Sequence, residues 1–233
     1  MMIKYFAPNS LADNGMKEVK KLLKLHMNGA ASEQMEKRGL DYELNYGVSF
    51  LHLKKIATKL PEQMELAERL WYREVREMMI LATLIVPKDK LSIEQCLEWS
   101  KLIKNGELVE QISLNLFSKL SYAEELSLQL ISQDNDLLKA TGYFSLGWFL
   151  RLREEGGVDF NDSLRSRLEK DLLTANLPLL RGVGHLLKQI IRVDTEFCDL
   201  VSDYSDRLIK QDGVISQQVG LELKEEIKYL KES

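Results

Sequence analysis

The segment from Arg181 to Arg192, RGVGHLLKQIIR, holds three cations and a histidine and no acid. Arg181, His185, Lys188 and Arg192 are spaced four, three and four apart. In an α-helix each residue turns by about 100°, so this spacing gathers the four into one narrow arc. Leu179, Val183, Leu186, Leu187, Ile190 and Ile191 fall opposite and supply a face for the core. A row of cations can hold an anion, and its natural long partner is a phosphate backbone. The same row can also be the plain solvated face of an amphipathic helix. The lack of any acid from Leu177 to Val193 favours the anion site. The following helix is opposite in sign, with Asp194, Glu196, Asp199, Asp203 and Asp206. Gly182 and Gly184 flank the stripe and would let a large ligand approach the backbone. Each costs about 1 kcal/mol of helix propensity relative to Ala.

Other residues capable of chemistry are scattered. His26, His52 and His185 form no HxxxH or HExxH pair, which argues against a zinc site. Cys96 and Cys198 lie far apart without metal spacing, as expected of reduced thiols in the cytoplasm. There is no G-x-S-x-G, no P-loop and no complete G-x-G-x-x-G, so no cofactor is expected. Lys17, Lys20, Lys21 and Lys24 make a second basic cluster, either a phosphate grip or a solvated face. Trp71, Trp99 and Trp148 have helical apolar neighbours and read as core.

The elements that position these residues are helices. Apolar residues recur three and four apart through most of the chain, and no segment alternates with period two. The periodicity predicts helices over about 11–28, 31–38, 49–59, 62–84 (broken near Tyr72), 92–104, 107–119, 121–132, 134–154, 162–175, 177–193, 195–211 and 214–231. Pro61 reads as a helix start. Ser92 with Gln95 and Ser121 with Glu124 read as capping boxes. Asp134, Asp162 and Thr195 read as N-caps. Asn28-Gly29, Gly39, Asn105-Gly106, Gly156-Gly157 and Asp212-Gly213 read as stops. The expected fold is therefore all-α. Twelve successive helices with tight turns suggest a HEAT-like helical-repeat solenoid, curved around a concave groove, with a compact bundle as the alternative. The expected organisation is one domain over 1–233: an N-terminal helix to residue 28, then stacked helix pairs. No apolar run approaches a membrane span, and the first residues lack a signal layout, so no membrane partner is expected. The net charge of −4 says little about a local basic groove, because salt screens charges beyond about 10 Å.

Several stretches resemble a known family. Tyr46 to Ala57, YGVSFLHLKKIA, is similar to the entry segment of the bacterial DNA alkylation repair proteins, the alkylpurine DNA glycosylases built from HEAT-like repeats. Leu70-Trp71, then Val75-Arg76-Glu77 and Ile80-Leu81-Ala82, resemble their next helices. Asn105 to Phe117, NGELVEQISLNLF, resembles the segment carrying their catalytic carboxylate. The likeness runs from about Met27 to the C-terminus, and Leu51 stands where the family often has proline. The resemblance implies a C-shaped solenoid whose basic concave face holds duplex DNA. Active members remove N3- or N7-alkylated purines with a carboxylate, aromatic residues near the lesion and an arginine on the backbone, using no metal. A carboxylate would stabilise positive charge building on the sugar as the alkylated base leaves.

Carried over residue by residue, the resemblance places the carboxylate at Glu110, where active enzymes have aspartate. Its extra methylene displaces the charge on a scale that can be costly for catalysis. A tryptophan position falls on Gly106, the arginine position on Lys139 and a second tryptophan position on His185. Lys139 keeps the charge but lacks the bidentate fork. Glu110 also has a plain structural role open to it, complementing the dipole in the first turn of its helix. The resulting expectation is a cytoplasmic, duplex-DNA-binding protein with contacts from Lys139, Arg181, His185, Lys188 and Arg192. Glu110 would be the catalytic group if an altered glycosylase site still works. The alternative is a non-catalytic scaffold whose cations bind an acidic protein or peptide. About four phosphate contacts would give a log–log salt slope of about −3.6. Dispersal of Arg181, Lys188 and Arg192 outward, or their capture by neighbouring aspartates, would sink this expectation.

Overall fold

The computed structural model describes residues 4–40, 42–153, 160–173 and 176–232. Among these residues the fold is helical throughout, and Leu44 and Val75 make an isolated bridge. The chain divides into two compact units, 1–116 and 117–233. No described helix is long and apolar enough to cross a membrane.

The first unit contains α1 (Ser10–His26), α2 (Gly29–Lys37), α3 (Phe50–Ala57), α4 (Met64–Trp71), α5 (Arg76–Ile85), α6 (Ile93–Ser100) and α7 (Gly106–Asn115). The expected break near Tyr72 separates α4 from α5, and Glu74 turns the chain there at φ 54°. The Trp71 and Trp99 rings stack at 4.8 Å in the core of this unit. A buried ion network ties its loops to its helices. The Arg76 side chain is 3 % exposed and meets Glu77, which is fully buried, at 3.0 Å. It also meets Glu107 at 2.6 Å and donates to the Val48 carbonyl. Glu77 in turn accepts the backbone amides of Tyr46 and Val48. Each buried charge thus has partners, which its desolvation requires.

The second unit contains α8 (Ala123–Ile131), α9 (Asp136–Leu152), α10 (Asp162–Asp171), α11 (Leu177–Val193), α12 (Cys198–Ile209) and α13 (Val214–Glu232). Here α8 packs on α9, α9 on α11, and α13 on both α11 and α12. Helix α11 has only a narrow line free of neighbours.

Asparagine starts many of these helices. Asn9, Asn28, Asn105, Asn135, Asn161 and Asn176 each accept backbone amides in the first turn of α1, α2, α7, α9, α10 and α11. The side-chain carbonyl satisfies a donor that the helix itself leaves unpaired. Several expected boundaries shift for this reason. Asn28 and Asn105 open helices rather than closing them. Asn135 and Asn161 displace Asp134 and Asp162 as caps, and Asp194 caps the turn at Thr195–Phe197. The Ser92–Gln95 capping box is present. At Ser121–Glu124, by contrast, the helix begins after Tyr122 with no side-chain cap, and the Pro61 start gives way to a helix beginning at Met64. Gly39 ends its element at φ 77°, as expected, whereas Gly156-Gly157 lies outside the described residues.

Candidate nucleic-acid interface

Helix α11 carries the predicted stripe. From 181 to 192 every residue is buried except Arg181, His185, Lys188 and Arg192. The open face of this helix is therefore the one its residue spacing predicts. Gly182 and Gly184, however, point into the protein. A Cβ on Gly182 would come within 3.0 Å of the Ala140 carbonyl, and one on Gly184 within 2.6 Å of Val219. These glycines let α9 and α13 approach α11, and no ligand reaches the backbone through them.

The stripe differs along its length. Arg181 is exposed and has no ion-pair partner among the described residues. Lys188 Nζ lies 2.6 Å from Glu222 of α13. Arg192 forms two hydrogen bonds to Glu226, four residues further along α13. The bonds to Lys188 and Arg192 hold the carboxyls of Glu222 and Glu226 below the ordinary carboxylate range. The bond to Glu226 likewise raises Arg192. Two of the stripe's three permanent cations thus already carry an acid. Lys188, Glu222 and Glu226 are half-buried and the Arg192 pair is bidentate, so each pair contributes on the order of 1 kcal/mol, which a stronger polyanion could exceed.

His185 is not an open cation. Its ring packs 5.2 Å from Phe144 and 4.7 Å from Trp148, both on α9. Burial, then the charges of Lys188, Arg151 and Arg192, lower its pKa to about 4. It is therefore neutral at physiological pH. Its Nε2 is buried without a hydrogen-bond partner among the described residues. The ring rests over Gly147, where a Cβ would stand 2.5 Å from Cδ2.

Two further residues belong to this face that periodicity within single helices does not reveal. Trp148, expected in the core, is half-buried on His185. Arg151, one turn further along α9, is exposed with its guanidinium 5.4 Å from the Trp148 ring. The charge of Arg151 acts on both His185 and Glu226. The i, i+3 spacing of Trp148 and Arg151 was the available signal. Together, α9 and α11 present Arg151, Trp148, Arg181, Lys188 and Arg192 around a neutral histidine. Cations beside an aromatic face can hold phosphate and stack against a base.

Lys139 lies elsewhere on α9. Its Nζ meets Asp171 of α10 at 2.9 Å, and the other oxygen of Asp171 accepts the Tyr143 hydroxyl. The Lys139 side chain is 16 % exposed, and its charge serves the α9–α10 contact. Glu110 is exposed on α7 in the first unit. It stands beyond the first turn, where Glu107 occupies the acidic place instead. The dipole role suggested for Glu110 thus passes to Glu107, which also receives hydrogen bonds from Arg76 and the Tyr42 hydroxyl. Among the described residues no group of three or more His, Cys, Asp or Glu could hold a metal ion.

A sequence model of the family described as DNA alkylation repair enzyme matches residues 19–197. No curated protein matches the chain. A solved structure superposes with a TM-score of 0.73 at 17 % identity, covering 90 % of this chain and 94 % of that one. It is described as belonging to a new family of proteins related to the HEAT-like repeat DNA glycosylases, with affinity for branched DNA structures. At this identity the likeness establishes the fold: all-α and of the HEAT-like repeat type, as the sequence predicted.

Proposed function

Because the chain belongs to the DNA alkylation repair enzyme family, we propose that it binds duplex DNA through the α9–α11 face of its second unit. The observation that carries this reading is the line of Arg181, Lys188 and Arg192 on an otherwise buried helix, with Arg151 and Trp148 beside it. Arg151 and Arg181 make the first phosphate contacts, since neither forms an ion pair among the described residues. Lys188 and Arg192 join only where Glu222 and Glu226 give way to phosphate. His185, being neutral, supports the Trp148 ring. Lys139 would contribute only by releasing Asp171, so the backbone contact suggested for it falls more naturally to Arg151. The affinity of the structural neighbour for branched DNA supports a DNA partner without requiring excision. The compartment that suits this reading is the cytoplasm, with the buried Cys96 and Cys198 thiols reduced.

Fluorescence anisotropy with duplex and four-way-junction DNA, at several salt concentrations, tests the proposal. Arg151→Glu and Arg181→Glu should each weaken binding several-fold and flatten the salt dependence, because each removes a phosphate contact. Affinities that do not change in either variant would remove this face from the interaction. Excision of an N3- or N7-alkylated purine is proposed only through Glu110. Glu110→Gln should then abolish release of 7-methylguanine or 3-methyladenine and leave DNA binding intact. Unchanged release would exclude Glu110 from the chemistry.

One observation favours a second reading. Glu222 and Glu226 show that a helix with carboxylates four residues apart fits Lys188 and Arg192. An acidic helical peptide could dock in the same way. Undetectable DNA binding at low salt, together with capture of such a peptide, would select this scaffold role.

A further inference from the structure

A cavity of about 590 Å3 opens in the first unit among the residues preceding α1, α1 itself and the α4–α5 turn. Its two acids, Asp13 and Glu74, each carry a cation. Asp13 is bound by Arg69 at 2.6 Å, and Glu74 is paired with Lys104. Lys17 and Lys20 on α1, and Arg73 on the turn, also line it. All three are exposed and have no ion-pair partner among the described residues. Three cations without an ion pair among the described residues therefore border the cavity, and of its two acids only the buried Oε1 of Glu74 lacks a partner.

The cavity also carries aromatic surface. Phe6 and Tyr72 pack with ring centroids 6.3 Å apart, and Lys4 Nζ lies 4.4 Å over the Tyr72 ring. Tyr5 beside them is 90 % exposed. A tyrosine that open gains almost no burial for the fold, so its flat face is free for a ligand.

We propose that this cavity takes the base–phosphate unit of an unpaired nucleic-acid strand. Lys17, Lys20 and Arg73 meet the phosphates, and Tyr5 stacks on a base. A duplex keeps its base faces inside the stack, whereas an unpaired strand offers them to an aromatic side chain. Lys17 and Lys20 lie about one helical turn apart and can bridge neighbouring phosphates. A volume near 590 Å3 is within the common range for small-ligand sites. The inference rests on the DNA-binding reading only in choosing nucleic acid as the polyanion, and it uses none of the residues of the α9–α11 face.

The test is anisotropy of a labelled eight-nucleotide oligothymidylate with the full chain. Tyr5→Ala should weaken binding roughly tenfold, while Tyr5→Phe stays within about twofold, because stacking survives without the hydroxyl. Lys17→Ala with Lys20→Ala should reduce the log–log salt slope by about 1.4. These side chains are exposed, so the folded state persists, and circular dichroism checks it. Unaltered oligonucleotide binding in Tyr5→Ala and in the double lysine variant would overturn the proposal. So would thymidine monophosphate competing as well as the oligonucleotide, which would make the cavity a site for free nucleotide. Blunt duplex titrated in parallel with Arg151→Glu and Arg181→Glu separates the two readings. Loss of duplex binding there, with single-strand binding still dependent on Tyr5, supports both. Failure in one assay alone removes only the surface it probes.

Discussion

Arg192 forks onto Glu226: Nε donates to Oε1 at 2.7 Å and Nη2 to Oε2 at 2.8 Å. One turn earlier on both helices, Lys188 meets Glu222 at 2.6 Å. The matched four-residue steps place a carboxylate of α13 against each of two cations of α11. Helix α13 lies beyond the residues matched by the family model. The chain thus brings its own acids to the surface where phosphate is expected to bind.

Replacing both acids should expose that surface. While Glu222 and Glu226 hold Lys188 and Arg192, only Arg151 and Arg181 neutralise phosphate in the native chain, and the duplex-DNA salt slope should be about −1.8. With Glu222→Gln and Glu226→Gln together, four cations contribute and the slope should approach about −3.6. Affinity at low salt should rise by roughly tenfold or more. The fold should tolerate the change, because each glutamine keeps a side-chain carbonyl that can accept from Lys188 or Arg192. Equal slopes in native and substituted chains would show that α13 does not compete with DNA.

His185 gives the second unit a pH dependence. Its pKa falls from 6.5 to about 4, first through burial and then through the charges of Lys188, Arg151 and Arg192. Between these values the unfolded chain binds more protons than the native one. Native stability is then fully present above pH 6.5 and declines as pH falls toward 4, by as much as about 3 kcal/mol. The depressed carboxyls of Glu222 and Glu226 also cost stability on acidification, but only as pH falls below their ordinary value of 4.5. Urea midpoints at pH 7.5 and pH 5 should therefore differ in the native chain and converge in His185→Leu. An identical shift in both proteins would assign the effect to other groups.

The helical class and the open line of α11 were legible in the sequence because both depend on periodicity within one element. Arg181, His185, Lys188 and Arg192 share a face for that reason alone. Their charge state was not legible. It depends on Glu222 and Glu226, which are more than thirty residues away and arrive only when α13 packs on α11. Segregation of acids into the stretch after Val193 was visible, but the residues that pair come from the helix beyond it. The roles of Gly182 and Gly184 were misread for a similar reason. An absent side chain signals close approach without naming what approaches, and here it is α9 and α13. The buried Arg76–Glu77–Glu107 network escaped notice because adjacent charges such as Arg76-Glu77 usually mark solvent.

That network should dominate the stability of the first unit. Arg76→Met leaves the fully buried Glu77 without its guanidinium and Glu107 without its fork. Breaking one partner of a buried ion set costs about 3–5 kcal/mol. Glu77 keeps the amides of Tyr46 and Val48, which sets the loss toward the lower end. Chemical denaturation monitored through the stacked Trp71–Trp99 pair should reveal a midpoint shift of that size. A change below about 1 kcal/mol would mean that the amides alone carry Glu77.

Gly147 controls the position of the aromatic group on the proposed interface. Alanine in mid-helix normally stabilises by about 1 kcal/mol relative to glycine. Here the added Cβ would stand 2.5 Å from His185 Cδ2 and 2.9 Å from Nε2. The ring cannot simply retreat, because Phe144 and Trp148 both pack against it. Overpacking of this kind costs about 1–3 kcal/mol, so Gly147→Ala should be net destabilising and should shift Trp148 fluorescence as the ring is pushed outward. In a His185→Ala background only the Leu186 Cα, 3.3 Å from the added Cβ, remains close, and the same substitution should cost less or become stabilising. This difference in a double-mutant cycle isolates the Gly147–His185 contact. If Gly147→Ala has the same effect in both backgrounds, His185 is not held by the α9 backbone and does not set the position of Trp148.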